Sequence, residues 1–242
     1  MNHGTLIFLG LLLAFLGSWS GMVLAPQVQI GRQQPDVQLQ PLNRPPAEGD
    51  VGEIYPQARA GLAAQGREIY QREGCYYCHS QQVSPHPADA RWTQLNRFSV
   101  HRDYLFDQPA MFGVQRLGPD LSNIGLRQPD ENWHLVHLFA PNAFMDGKAG
   151  NKSTMPPYLH LFDYRKVMPQ GGSTSALKLP ESVVLPKQYQ TGYEVVPTAE
   201  ARALVAYLKS LRQDVNLFEA PMYAPKAKTN VVSQTATNGA AK

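Results

Sequence analysis

The stretch Cys75-Tyr76-Tyr77-Cys78-His79 limits what this chain can fold around more than any other feature. Cys-x-x-Cys-His is the attachment pattern of a c-type haem, because two thiols about one helical turn apart can each add to a vinyl group on one edge of the porphyrin. The adjacent histidine is then held beneath the iron as an axial ligand. The chain has two cysteines in all, so neither has another thiol to pair with. We therefore expect one haem c, bound covalently by Cys75 and Cys78, with His79 on its iron.

Other readings of the paired cysteines fit less well. A zinc site would need further Cys or His at ligand spacing, and the sequence has no second cysteine pair. A thioredoxin-like redox pair would follow a strand in a βαβ pattern, which is absent around this motif. A chance match of five residues is the third alternative, and it is opposed by the motifs that follow along the chain.

The first apolar segment covers residues 4–25 and carries no charged side chain. About 22 helical residues span roughly 33 Å, which is enough to cross the hydrocarbon core of a membrane. A cleaved signal peptide is the alternative, with Val23-Leu24-Ala25 as a poor cleavage site. No Lys or Arg precedes the apolar run, and the run is longer than the roughly 7–15 apolar residues of a signal peptide. We therefore expect a retained transmembrane anchor.

The rest of the chain divides by composition. Residues 26–60 are rich in Pro and Gln and show neither a helical nor an alternating period, which predicts an extended tether. Residues 61–213 should form the folded haem domain. Residues 214–242 should form a disordered tail, because the end of the chain is rich in Lys, Thr, Asn and Ala. The net charge of +3 gives no reason to expect nucleic-acid binding.

Two amphipathic segments bracket the expected haem domain, at residues 62–73 and 198–212. Gly66 would let the two helix backbones approach closely, with Tyr70 facing Tyr207. This pairing resembles that of the small c-type cytochromes, whose first and last helices cross. We expect a mainly α fold, a class I cytochrome c-like haem domain with long loops, tethered to one N-terminal transmembrane helix.

Two further positions complete the expected iron site. Residues 116–125 resemble the Gly-Pro-x-Leu segment of the same superfamily, whose proline carbonyl accepts the Nδ1–H of the proximal histidine, so we pair Pro119 with His79. A plain Gly-Pro turn is the alternative. Met155 is the expected distal ligand, because two prolines stiffen the chain behind its sulfur and a thioether–iron bond is weak. Downstream methionines are more often core residues, and the others are Met111, Met145, Met168 and Met222.

Several charged or metal-binding side chains have no assigned role. His134 and His137 are spaced i, i+3 and would share one helical face, which suits a metal pair. The chain has one attachment motif, however, and structural histidines are commoner. Arginines could pair with the haem propionates, and the candidates are Arg91, Arg97, Arg102 and Arg116.

Beyond the haem motif, short motifs follow one another in this order: Gly66-Arg67-x-Ile69-Tyr70, Arg116-x-Gly118-Pro119-Asp120-Leu121, Trp133-His134-x-x-His137-Leu138, Ser153-x-Met155-Pro156-x-Tyr158 and Ala203-Leu204-Val205-x-Tyr207-Leu208. Together they resemble the mono-haem subunit II of cbb3-type cytochrome c oxidases, the FixO/CcoO family. The likeness covers the anchor and nearly all of residues 61–212. It departs at Val83-Ser84-Pro85, where the family often has Arg before the proline.

The resemblance implies an electron-transfer role. Such subunits sit on a haem–copper catalytic subunit that reduces oxygen to water, and their haem c receives electrons from a companion haem-c subunit or a soluble c-type cytochrome. By this reading Cys75, Cys78, His79 and Met155 carry the function, and the chain has no oxygen site of its own. Since haem c is attached after export, we expect a single-pass protein of the bacterial cytoplasmic membrane with its haem domain on the periplasmic side.

Three other functions stay open. The mono-haem subunit of a nitric oxide reductase would share one anchor, one haem c and a haem–copper partner, although the Trp-His-x-x-His-Leu motif and the long interval between His79 and Pro119 favour the oxidase. A free-standing anchored electron shuttle would need no permanent partner. A haem enzyme such as a peroxidase would need an open iron, which Met155 as a ligand opposes.

Overall fold

The structure, a computed structural model, describes residues 3–38, 53–92, 97–145, 152–215, 217 and 219–220. The helices in these ranges are α1 (Gly4–Trp19), α2 (Ala25–Gln29), α3 (Gly61–Arg72), α4 (Ile124–Arg127), α5 (Glu131–Phe139) and α6 (Ala199–Ser210). The strands are β1 (Asp36–Gln38), β2 (Glu53–Tyr55), β3 (Phe162–Lys166) and β4 (Tyr193–Pro197). The described chain is therefore mostly helical, as the sequence predicts.

The N-terminal apolar helix extends four residues beyond the predicted anchor. A π-helical turn over Ser20–Leu24 joins α1 to α2, so that one helix of 26 residues runs from Gly4 to Gln29. None of its residues is buried. Its length and composition suit a membrane crossing, which supports membrane anchoring. Because an N-terminal signal sequence has the same features, retention of this helix stays a prediction.

The segment predicted as an extended tether contains regular structure at both ends. β1 pairs with β2 in antiparallel register, and residues 39–52 lie outside the described ranges. Arg102 donates a hydrogen bond to the carbonyl oxygen of Gln34 at 2.9 Å. Tyr55 donates one to the buried carboxylate of Asp103 at 2.5 Å. The described ends of this segment are thus hydrogen-bonded to the haem domain rather than free.

A buried ion pair joins the C-terminal segment to the same part of the fold. Arg97 is only 2% exposed and donates to both oxygens of Asp103, at 2.8 and 3.0 Å. Its Nε donates to the carbonyl oxygen of Val215 at 2.6 Å. Buried charges persist only when they are paired and hydrogen-bonded in this way. Residues at the start of the predicted tail are therefore packed, including the buried Leu217 and Ala220, while residues 221–242 lie outside the described ranges.

The first and last helices of the domain cross at Gly66. A Cβ atom added to Gly66 would lie 1.9 Å from the carbonyl oxygen of Ala203 in α6, so only glycine permits this approach. The rings of Tyr70 and Tyr207 lie 5.2 Å apart beside the crossing, and both are fully buried. The crossing places the C-terminal end of α3 beside the start of α6, where Arg72 donates to Glu200 at 2.7 Å.

The remaining elements pack around α6. The side chain of Thr198 accepts a hydrogen bond from the backbone N–H of Ala201 at 3.2 Å and so caps the start of α6. Helices α4 and α5 contact α6, and β3 pairs with β4 in an antiparallel hairpin. Apolar side chains from these elements form one core, which includes Leu135, Val136, Leu138, Phe139, Leu161, Phe162, Leu204 and Val205. A cavity remains between this core and the cysteine motif.

Candidate haem site

The two cysteines lie on a single tight turn. Gly74 has φ 72°, a left-handed conformation that favours glycine, and it ends α3 directly before a 3-10 turn over Cys75–Tyr77. The backbone N–H of His79 donates to the carbonyl oxygen of Cys75 at 3.0 Å. Burial raises the pKa of the Cys75 thiol to about 12. A thiol that stays protonated at neutral pH is a poor redox nucleophile, which disfavours Cys75 as the reactive cysteine of a thioredoxin-like pair.

His79 is oriented by the proline carbonyl that the sequence assigns to it. Its Nδ1 lies 2.9 Å from the carbonyl oxygen of Pro119, and burial lowers the pKa of its imidazole. A neutral imidazole that donates through Nδ1 has its Nε2 lone pair free for a metal. A Cβ atom on Gly118 would lie 2.3 Å from Cε1 of His79, so glycine is needed beside the ring. The pair therefore has the arrangement expected of a proximal haem ligand.

One cavity of about 260 Å³ brings together Cys75, His79 and Met155. Most of its other lining residues are apolar or aromatic, among them Tyr70, Trp92, Leu121, Ile124, Leu138, Leu204 and Leu208. Cofactor sites commonly combine such a lining with a few polar groups that fix orientation. The lining therefore fits a haem, which Cys75, His79 and Met155 would hold. Cys78 is exposed and is not among the lining residues.

Met155 is the one predicted methionine that lines this cavity. Its backbone N–H donates to the Ser153 hydroxyl at 3.2 Å, and the N–H of Tyr158 donates to the carbonyl of Leu138 at 2.9 Å. The first bond lies within the Met155 loop, and the second holds that loop against the C-terminal half of α5. Of the other candidates, Met111 is buried in the core and Met168 is exposed, Met145 is not among the lining residues, and Met222 lies outside the described ranges.

Both histidines of α5 line the same cavity. Nε2 of His134 lies 2.8 Å from the carbonyl oxygen of Gln128, and burial lowers the pKa of His134. His137 stacks on Trp133 with ring centroids 4.9 Å apart. Burial, helped by its histidine neighbours, lowers the pKa of His137 to about 4. Both rings are therefore neutral near pH 7. In the described ranges no three His, Cys, Asp or Glu side chains form a group that could hold a metal ion.

The arginines predicted as propionate partners are engaged elsewhere. Arg97 pairs with Asp103, Arg102 with Glu219 and Arg116 with Asp89. The fourth candidate, Arg91, lies over the ring of Trp92 at 4.6 Å. None of the four lines the cavity.

Arg127 also lines the cavity, although no sequence motif marks it as a candidate partner for a propionate. Its guanidinium lies 4.8 Å from the ring centroid of Trp92, and its Nη2 donates to the carbonyl oxygen of Asp120 at 2.5 Å. Its Nη1 is buried and has no hydrogen-bond partner within the described part of the chain. A buried N–H left without a partner is costly, so it is well suited to a carboxylate of a bound group, such as a propionate. The sequence alone does not show that Arg127 reaches the cavity, because the position of α4 depends on its contacts with α6.

Comparison with known proteins gives one family. A family model described as cytochrome c oxidase, mono-heme subunit/FixO, matches residues 51–178. The match covers more than half of the 242 residues and includes the cysteine motif, Pro119 and Met155. A search of curated proteins finds no match.

Proposed function

This chain belongs to the FixO family of mono-haem cytochrome c oxidase subunits, and we propose that it carries electrons from a c-type cytochrome or a companion haem-c subunit to the haem–copper subunit that reduces oxygen to water. The observation that best supports this role is the single cavity lined by Cys75, His79 and Met155. A cavity of this kind can hold one electron carrier.

Each residue of the site has a distinct part in the proposal. The haem supplies one-electron chemistry at its iron. Cys75 and Cys78 would hold it covalently, and His79 would bind its iron through Nε2 while Nδ1 donates to Pro119. Met155 would supply the second protein ligand to the iron. The apolar lining excludes water, so that little solvent reorganisation accompanies a change in iron charge.

The proposed location follows from the helix and the cofactor. The helix from Gly4 to Gln29 would remain as a single membrane anchor. Because haem c is attached after export, the domain would lie on the periplasmic side of a bacterial cytoplasmic membrane. A haem domain over residues 61–213 remains part of this proposal, and the described ends of the segments 26–60 and 214–242 are bonded to it.

The test of the function is co-purification of the intact chain. We expect a tagged chain, extracted from membranes in mild detergent, to bring down b-type haem and copper together with one covalent haem c. The complex should consume oxygen from a reduced c-type donor. Consumption of nitric oxide without oxygen uptake would instead identify a nitric oxide reductase subunit. Isolation of the chain alone with a haem c spectrum would identify a free-standing shuttle.

Replacing Met155 with leucine tests the distal ligand. Leucine keeps the bulk of the side chain and removes the sulfur, so we expect the reduction potential of the haem to fall by on the order of 100 mV or more, because methionine ligation raises it. A redox titration followed by visible absorption gives the potential and the ligation state. Met168→Leu is the matched control, since Met168 is exposed away from the cavity. Equal potentials in the two variants would rule out Met155 as the ligand.

A further inference from the structure

A fully buried carboxylate directly follows the proline whose carbonyl bonds His79. Asp120 is only 1% exposed. Its Oδ2 accepts hydrogen bonds from the Ser80 hydroxyl at 2.7 Å and from the backbone N–H of Gln82 at 2.8 Å. Its Oδ1 accepts one from the backbone N–H of Ser122 at 2.9 Å. A buried carboxylate is costly unless it is hydrogen-bonded in this way, and all three donors depend on it as their acceptor.

The Ser80 hydroxyl links this carboxylate to a strained arginine. Ser80 is only 1% exposed, and its Oγ accepts a hydrogen bond from Nε of Arg116 at 3.1 Å while it donates to Asp120. Arg116 has φ 53°, a left-handed conformation that is uncommon outside glycine. Backbone strain of this kind persists only where the surrounding bonds impose it, and it concentrates at functional sites.

Backbone hydrogen bonds join the same two chain segments on both sides of His79. The N–H of Gly118 donates to the carbonyl oxygen of Cys78 at 2.8 Å, and the N–H of Leu121 donates to that of Ser80 at 2.7 Å. The accepting residues are the two sequence neighbours of the histidine. The two donors enclose residues 119 and 120, so this residue pair is fixed relative to the histidine.

Pro119 depends on Asp120 for the direction of its carbonyl group. A proline has no N–H and cannot fix its own position by donating a hydrogen bond. Its carbonyl oxygen, which lies 2.9 Å from Nδ1 of His79, belongs to the planar peptide unit that ends at the Cα atom of Asp120. The side chain of Asp120 makes the three bonds above, and its carbonyl oxygen accepts one from Arg127 at 2.5 Å. Fixing Asp120 therefore fixes the group that orients the imidazole.

The charge of Asp120 acts on the iron site in the same sense as this hydrogen bond. It favours positive charge on the His79 imidazole, and it would likewise favour ferric over ferrous iron bound there. A firmly held bond at Nδ1 makes the imidazole a stronger donor to the metal, which also favours the ferric state. Of the nearby guanidinium groups, that of Arg116 pairs with Asp89, and that of Arg127 bonds the backbone carbonyl of Asp120.

We propose that Asp120 is a positioning residue, which holds the Pro119 carbonyl on Nδ1 of His79 and so lowers the reduction potential of the haem. Asp120 is not among the residues that line the cavity, so it acts through the peptide unit of Pro119 and through its charge. This inference rests on the haem binding of the proposed function, and it names a residue that sets the potential of that same site.

The experiment compares Asp120→Asn with Asp163→Asn in the intact, haem-loaded chain in detergent. Asparagine keeps the shape of the side chain and removes its charge and one acceptor. Asp163 is the matched control, because it is exposed and pairs with Arg165 at the surface. In a redox titration followed by visible absorption, we expect Asp120→Asn to raise the ratio of reduced to oxidised haem at a fixed potential about tenfold, an upward shift of about 59 mV for one electron. Asp163→Asn should leave this ratio unchanged.

Electron paramagnetic resonance of the ferric haem gives a second readout. Its g values depend on how strongly the imidazole donates to the iron, so we expect them to change in Asp120→Asn and to stay at the wild-type values in Asp163→Asn. A purely structural role would lower the Tm or the haem content and leave the potential and the g values of the remaining haem unchanged. A raised potential with unchanged g values would be an effect of charge alone. Either result would overturn the positioning role.

Asp120→Ser keeps the test decisive if asparagine is not tolerated. Serine is smaller, its hydroxyl can accept from the N–H two residues further on, and it leaves space in which a water can meet the other donors. We expect the same upward shift in potential and a change in g values. If neither variant carries covalent haem c, Asp120 is required for folding, and the positioning role is overturned.

The wild-type chain separates this inference from the proposed function. If wild type carries haem c but brings down no b-type haem, the oxidase role fails, while the potentials of the variants still decide the role of Asp120. If wild type brings down b-type haem and Asp120→Asn keeps the wild-type potential, the function stands and only the assignment of Asp120 is overturned. Wild type without covalent haem would overturn both.

Discussion

Replacing Gly66 with alanine is expected to destabilise the haem domain by at least about 2 kcal/mol. The added Cβ would lie 1.9 Å from the carbonyl oxygen and 2.5 Å from the carbonyl carbon of Ala203, and 2.8 Å from Cβ of Tyr207. Two of these atoms belong to a helix backbone and cannot turn aside, so α3 and α6 must separate. Overpacking of this kind costs about 1–3 kcal/mol or more. This cost outweighs the stabilisation of about 1 kcal/mol that alanine gives a helix relative to glycine.

Thermal unfolding of the haem-loaded full chain, followed in detergent by its visible circular dichroism, measures this effect. For a domain of this size, a loss of 2 kcal/mol corresponds to a fall in Tm of about 4–8 °C. Gly172→Ala is the matched control, because a Cβ atom at Gly172 would meet only the flexible end of Glu194, at 3.1 Å. Equal Tm values for the two variants would mean that the helices do not meet as closely as the structure shows.

The largest expected effect on the cofactor comes from replacing both Cys75 and Cys78 with serine. We expect the double variant to carry no covalently bound haem, since a hydroxyl does not add to a vinyl group under these conditions and the chain has no other thiol. Haem staining of the denatured chain on a gel reads covalent attachment directly. Each single serine variant should keep one thioether and show a shifted absorption maximum.

Tyr77→Phe provides the control for the double variant. Tyr77 lies inside the same motif and is exposed, so its replacement tests whether the turn tolerates change without touching a sulfur. It should retain a full complement of covalent haem. Staining of the double serine variant at the wild-type level would contradict the assignment of both cysteines.

Of the site residues predicted from the sequence, the structure gathers Cys75, His79, Pro119 and Met155 at the cavity. The cysteine turn, Pro119 and Met155 can each be recognised within a few neighbouring positions, because each is specified by spacing, by glycine or by proline chemistry. The crossing at Gly66 is expected from the resemblance to the small c-type cytochromes, with Gly66 and Tyr70 spaced i, i+4. Their roles in haem binding stay predictions, and the experiments above test them.

The features of the site and fold that could not be predicted from the sequence depend on contacts between segments far apart in the chain. Arg97 and Arg102 carry guanidinium groups of the kind that pair with propionates, but they pair with Asp103 and Glu219 instead. Arg127 stands in a short helix with no motif of its own, and only tertiary packing brings it to the cavity. The β3–β4 hairpin and the pairing of β1 with β2 also join segments many residues apart, and such pairing leaves little trace in local sequence.

The segment that follows the apolar helix is hydrogen-bonded to the domain, and this limits how far a haem in the domain could lie from that helix. Thirty-five extended residues, the predicted length of the tether, would reach roughly 120 Å. The free length of the tether is shorter in the structure, because Arg102 donates a hydrogen bond to the carbonyl oxygen of Gln34. Tyr55 likewise donates one to Asp103. Between the end of the apolar helix at Gln29 and Gln34 only about four free residues remain, a reach of roughly 14 Å. With the helix retained as the proposed anchor, a haem in this cavity would stay in a thin layer above the membrane surface, within reach of partners embedded in the same bilayer.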